Sequence, residues 1–82
     1  MTEKTLHIVQ QFERQGKRLV VGRAMEFRTA AEAVARAERD AERMAGVVAL
    51  TQVVDVDTGE VIEEPAILAR HGELPKEFQA ED

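Results

Sequence analysis

The chain has 82 residues, enough for one domain with a thin core, because a chain this small buries only about 60% of the surface it exposes when unfolded. It contains no cysteine, serine, tryptophan or tyrosine, which excludes disulfides, thiol and serine nucleophiles and Cys-built metal sites, and leaves only three phenylalanines from which to build a stacking platform for single-stranded nucleic acid. The net charge of −5 is unevenly spread, with nine Lys/Arg against seven Asp/Glu in residues 1–54 and two against nine in residues 55–82, a balance that argues against general nucleic-acid binding and suits solubility or head-to-tail pairing of copies.

The first strand is expected over Thr5–Arg14, with Leu6, Ile8, Gln10 and Phe12 on one face and His7, Val9 and Gln11 on the other. Glu13 to Arg18 reads as a turn with a basic tip, in which Gly16 supplies a positive φ. Leu19–Phe27 is the second strand, and Gly22 marks a bulge or a close backbone approach. Thr29 to Gly46 then reads as the central helix. Thr29 and Glu32 have the spacing of a capping box, and Gly46 is placed to end the helix in the left-handed conformation. Ala30, Val34, Ala37, Ala41 and Met44 form its apolar stripe. That stripe is mostly alanine, which buries little area but lets a backbone approach closely. Arg36, Arg39 and Arg43 read as a solvated face interleaved with Glu38, Asp40 and Glu42.

Val47–Val56 is the third strand, with Val48, Leu50, Gln52, Val54 and Val56 on one face and Val47, Ala49, Thr51 and Val53 on the other. Asp55 to Glu60 is a hairpin turn, and Val61–Arg70 is a fourth strand broken by Pro65, which favours an edge or a bulge. Leu74 and Phe78 cap the core as a short turn. The domain is thus expected over residues 1–78, followed by a disordered acidic tail at 79–82. No run is long and apolar enough to be a signal peptide or a spanning helix, so a cytoplasmic protein is the expectation.

The motifs that suggest chemistry have simpler readings. Asp57-Thr58-Gly59 copies the aspartic-protease triplet, which needs two carboxylates sharing a proton, but the same triplet is a common hairpin turn. Asp55, Asp57 and Glu60 lack the calcium-loop spacing, because Gly59 stands where the third ligand is needed. His7 and His71 have no metal-ligand spacing, although His71, Asp57 and Glu73 would be the residues of a small hydrolase if they converged. Gly16 and Gly22 fit neither a phosphate loop nor a dinucleotide fingerprint, and no cofactor is expected.

From the helix onward, Arg36-Ala-Glu-Arg39, Ala45-Gly-Val-Val-Ala49, Asp57-Thr58-Gly59 and Ile67-Leu-Ala-Arg-His-Gly-Glu-Leu-Pro75 carry a resemblance to small bacterial proteins forming a domain of unknown function. The resemblance covers about half the chain and implies a small stand-alone domain with no catalytic residues to carry over. The ββαββ order is also that of β-grasp modules, but the chain ends Gln79-Ala-Glu-Asp82 and lacks the paired glycines of ubiquitin-like modifiers.

The expected fold is α+β, a four-stranded and mainly antiparallel sheet with one helix on one face. The helix is expected on the Leu6, Ile8, Phe12 face. That would leave His7, Val9, Gln11, Val47, Ala49, Thr51 and Val53 as an open apolar face and the interface of a homodimer. The function expected is a non-enzymatic interaction module. The alternative is a nucleic-acid accessory protein using Arg14, Lys17 and Arg18 at the hairpin tip with Arg36, Arg39 and Arg43 of the helix.

Overall fold

The computed structural model describes residues 2–79. Strands β1 (Glu3–Gln15) and β2 (Arg18–Phe27) form a hairpin closed by Gly16 and Lys17 alone. A two-residue loop that follows the strand twist needs a positive φ, and Gly16 provides it at +63°. Helix α1 (Ala30–Asp40) starts where the sequence indicates. Thr29 Oγ1 accepts from Glu32 N at 3.1 Å, and its hydroxyl lies 3.1 Å from Glu32 Oε1.

The helix does not run on to Gly46. It ends at Asp40, and Arg43 N and Met44 N turn back to Asp40 O at 3.0 and 2.9 Å. Gly46 instead opens strand β3 (Gly46–Asp55), where the chain after β4 passes so close that a Cβ would run into the Glu73 carbonyl. Glu73 N donates to Ala45 O at 2.9 Å at the same crossing. Strand β4 (Ala66–Gly72) starts just after Pro65, later than expected; Val61 is left as a single bridge to Val54. A short 3₁₀ turn, Lys76–Phe78, follows.

The sheet order is β2-β1-β3-β4, and every neighbouring pair is antiparallel. Hence β2 and β3 run the same way on either side of β1, and α1 makes the long crossover that such a pair requires. The fold is α+β, as expected. Two bulges interrupt the ladders. On β2, Gly22 and Arg23 together face Gln11, and the Gln10 amide lies 3.0–3.3 Å from the carbonyls of Gln11, Gly22 and Arg23. On β4 the extra residue is Leu68, which turns with Ala69 to the helix side.

The expected assignment of faces is reversed. Ala33 and Ala37 of α1 pack on Val9, Val47 and Ala49, with Met25, Phe27, Met44 and Leu68 around them. The helix therefore covers the face read as open. The physical reason lies in side-chain size: an alanine helix has no reach, and it sits down on the face whose centre is Val9, Val47 and Ala49. The bulkier face collects a second cluster, Phe12, Val48, Leu50 and Leu74, flanked by Ile8, Leu19, Ile67 and Phe78. There the C-terminal segment does what was expected of Leu74 and Phe78. The Phe12 and Phe78 rings lie 5.9 Å apart, and Arg70 Nε donates to Phe78 O at 2.8 Å. Gln79, expected to begin a disordered tail, donates to Leu74 O at 2.9 Å; positions 80–82 lie outside the described residues. Among the described residues no helix is long and apolar enough to cross a membrane.

Candidate interaction surfaces

Because the helix seats on it, the residue set expected as an interface is core. Val9, Val47 and Ala49 are fully buried. His7 and Thr51 are half-buried and joined, Nδ1 to Oγ1 at 2.9 Å, and Val53 is half-buried beside them on the same face. Gln11 is a polar residue on this face because it has work there: its amide donates to Asp40 Oδ2 at 2.7 Å.

Asp40 is the largest departure from the sequence reading. Expected on a solvated helix face, it is only 2% exposed. Arg36 Nε approaches its two oxygens at 2.9 and 3.0 Å from one turn earlier. Burial alone pushes this carboxyl up; the bonds from Gln11 and Arg36, with the charges of Arg36 and Arg43, outweigh it and hold the carboxyl below the ordinary range. The signal that could have found it is the helical spacing itself, since Ala33, Ala37 and Asp40 step by four and three down one face.

The six basic residues of the nucleic-acid alternative do not share one surface. Arg14 lies on the side away from the helix, in line with Phe12, and pairs with Glu73 through both its Nε (3.1 Å) and Nη2. It also donates to Lys17 O at 2.8 Å. This pairing raises Arg14 and holds Glu73 below the usual carboxylate range. Lys17 and Arg18 are exposed at the hairpin tip. Arg36 is held by Asp40, and Arg36 and Arg39 border a groove of about 320 Å³ with Phe27, Glu32 and Ala35. Arg43 is exposed beyond the helix end.

Asp57-Thr58-Gly59 forms a turn. Asp55, not Asp57, is the buried carboxylate, and its Oδ1 accepts from Asp57 N at 2.8 Å and Thr58 N at 3.3 Å, while Gly59 takes φ +78°. Asp57 is exposed. His71 stands beside Val47 on the helix side, and its Nε2 is enclosed with no hydrogen-bond partner among the described residues. No group of three or more His, Asp or Glu gathers among the described residues as metal ligands.

The surface that remains is on the bulky face, where the C-terminal segment covers only part of the sheet. Leu6 and Ile8 of β1 are half-buried, Ala24 and Val21 of β2 are exposed, and Val21 is 70% so. Val54, with Val61 bridged to it, continues the strip at one end. On this face Lys4 stands opposite Val54 and Glu26 opposite Ile8, and the two pair at 4.0 Å across the strip; Arg14, towards the hairpin tip, pairs with Glu73.

No family model, curated protein or solved structure matches the chain.

Proposed function

We propose that the chain is a small non-enzymatic interaction module that self-associates through the part of the sheet left bare by helix and C-terminal segment. The observation that supports this reading is the strip Leu6, Ile8, Val21, Ala24 and Val54. In a protein with a third of its residues charged, the charges on this strip are paired, Lys4 with Glu26 and Arg14 with Glu73, so the strip is neutral as a whole. Apolar surface with little net charge is what an interface is commonly built from. It also suits a second copy in particular. Two chains of net charge −5 repel over most of their surface, but they can meet face to face where each is neutral.

Light scattering at tens of micromolar tests the reading. The expected mass is twice the 9.1 kDa of the chain, at low and at high salt, because the contact is apolar. Val21→Lys is expected to give a monomer with unaltered secondary structure, since Val21 is 70% exposed within its own chain. A wild-type monomer, or a dimer indifferent to Val21→Lys, would sink the reading.

A further inference from the structure

A second surface, chemically unlike the strip, lies on the helix side of the sheet, between the flank of α1 and β2. Glu32, Ala35, Arg36 and Arg39 recur at the three- and four-residue steps that place them along one side of the helix, and with Phe27 they line a groove of about 320 Å³. That volume is at the lower end of those that hold small ligands. Phe27 is half-buried and Ala35 exposed, and together they form its apolar lining. Arg36 is the unusual member. Its side chain is only 27% exposed, and the carboxylate that anchors it is only 2% exposed. A buried ion pair is weak evidence of a device for stability, because desolvation offsets much of the attraction. It does fix the guanidinium, and a side chain already held in one geometry loses less entropy when it binds. Among the described residues the bonds of Arg36 run from Nε alone, to the two oxygens of Asp40. Its Nη1–Nη2 edge, with two N–H groups side by side, is left for another acceptor. Arg39, nearly one turn on, has no carboxylate within 4.0 Å among the described residues.

We infer that this groove binds a small organic acid, its carboxylate held by Arg36 and Arg39 and its apolar body lying over Phe27 and Ala35. The planar guanidinium edge matches the two oxygens of a carboxylate, a fit that a lysine does not reproduce. Glu32 also lines the groove and opposes an anion. It stands one turn before Arg36, with its Oε1 accepting from the Thr29 hydroxyl, so the acid group seats at the Arg39 end. Asp40 and Glu32 balance the two arginines in charge, and the ligand is therefore selected by the placement of donors rather than by net attraction. The site shares no residue with the strip proposed for self-association, so each can fail without the other.

The test is a ¹⁵N NMR titration of the full chain with hexanoate, hexanamide and acetate. Hexanoate is expected to shift the amides of Phe27, Ala35, Arg36 and Arg39, with a Kd of about 1 mM or below. Hexanamide has the same shape without the charge, and acetate has the charge without the apolar body; each should bind about tenfold more weakly. Arg36→Lys keeps a positive charge beside Asp40 and should weaken hexanoate by about tenfold, because one ammonium does not span both oxygens. Arg39→Gln, at an exposed position, should weaken it with the fold unaltered, and Glu32→Gln should tighten it. Equal binding of hexanoate and hexanamide would reduce the contact to apolar burial, and equal binding of acetate would reduce it to charge; either overturns the inference. Full binding by Arg36→Lys would confine Arg36 to neutralising Asp40 and overturn it too. Should Arg36→Lys fail to fold, unaltered binding by Arg39→Gln decides against the inference in its place. Shifts confined to other elements, or none at about 10 mM hexanoate, are equally decisive against it.

Discussion

Asp40 shows how one buried carboxylate fixes an element. Its carboxylate ties the last turn of the helix to β1 through Gln11 and is neutralised by Arg36. Removing one member of a buried polar cluster costs more than its bonds are worth, because the others stay buried without partners. Asp40→Ala is therefore expected to destabilise the fold by about 2–3 kcal/mol in urea unfolding, somewhat less than a fully enclosed pair because Arg36 is partly in water. The pH dependence has a definite sign. The Asp40 carboxyl is held below its unfolded value, so its contribution is complete above that value, near pH 4, and is lost as pH falls through the lower folded value. Stability of the wild type should drop with acid below about pH 4 more steeply than that of Asp40→Asn. Gly46 gives a second test at this scale. The methyl of Gly46→Ala has the Glu73 carbonyl in its way, so the two backbones must part, at a cost of about 2–3 kcal/mol by the same unfolding measurement.

At the scale of elements, the sequence gives the order of strands and helix readily and the faces poorly. Thr29, Gly16 and the Asp55–Glu60 turn are local signals, each needing only its neighbours in the chain, and each is found where the residues indicate. The two faces of β1 and β3 are not local. Both are apolar, both carry a glutamine, and the choice between them depends on how closely a helix can approach. The helix's alanines contained that answer, because short side chains seat best on Val9 and Ala49 and leave the bulkier face for Phe78, although the seating pair is Ala33 and Ala37 and Ala33 lies off the stripe of Ala30, Val34, Ala37, Ala41 and Met44. The helix end was misread for a related reason. Gly46 is a good helix terminator in isolation, but here it serves a crossing with residue 73 that no local pattern reveals. The C-terminal turn is an element in its own right only through contact. Phe78→Ala uncovers Phe12 and should cost about 1–3 kcal/mol, less than a fully buried phenylalanine because Phe78 is half-exposed. In the same variant, the amides of Phe12 and Val48 should shift by NMR while those of α1 stay in place.

Across the whole molecule, polar work and apolar work are divided between sides. The helix side is sealed by small side chains and one buried carboxylate. The other side is closed at one end by the chain's own C-terminal turn and bare at the other. If two copies meet on the bare end, their folding is linked to their association, and the thermal midpoint should rise with protein concentration. A rise between about 5 and about 500 µM in the wild type, absent in Val21→Lys, is the expected result by scanning calorimetry. The candidate surface itself was only partly legible. Leu6, Val21 and Val54 are plain in the sequence as apolar strand residues, but their exposure follows from where the C-terminal turn stops, which is a fact of packing over distance.

The strand order also sets the sequence of events during synthesis. β1 is central, with its first neighbour supplied at once by the hairpin and its second, β3, arriving only after the helix has been made. Joining Phe12 to Gly46 and Glu3 to Asp55 closes a long loop, the entropically expensive kind of contact that slows folding. Until then, a nascent chain that has delivered β1, β2 and α1 has one long edge of β1 unpaired, and Val9 and Phe12 lack the strand that will enclose them on both faces. A chain in that state offers an unpaired strand edge and uncovered apolar side chains, the features that make incomplete sheets prone to association.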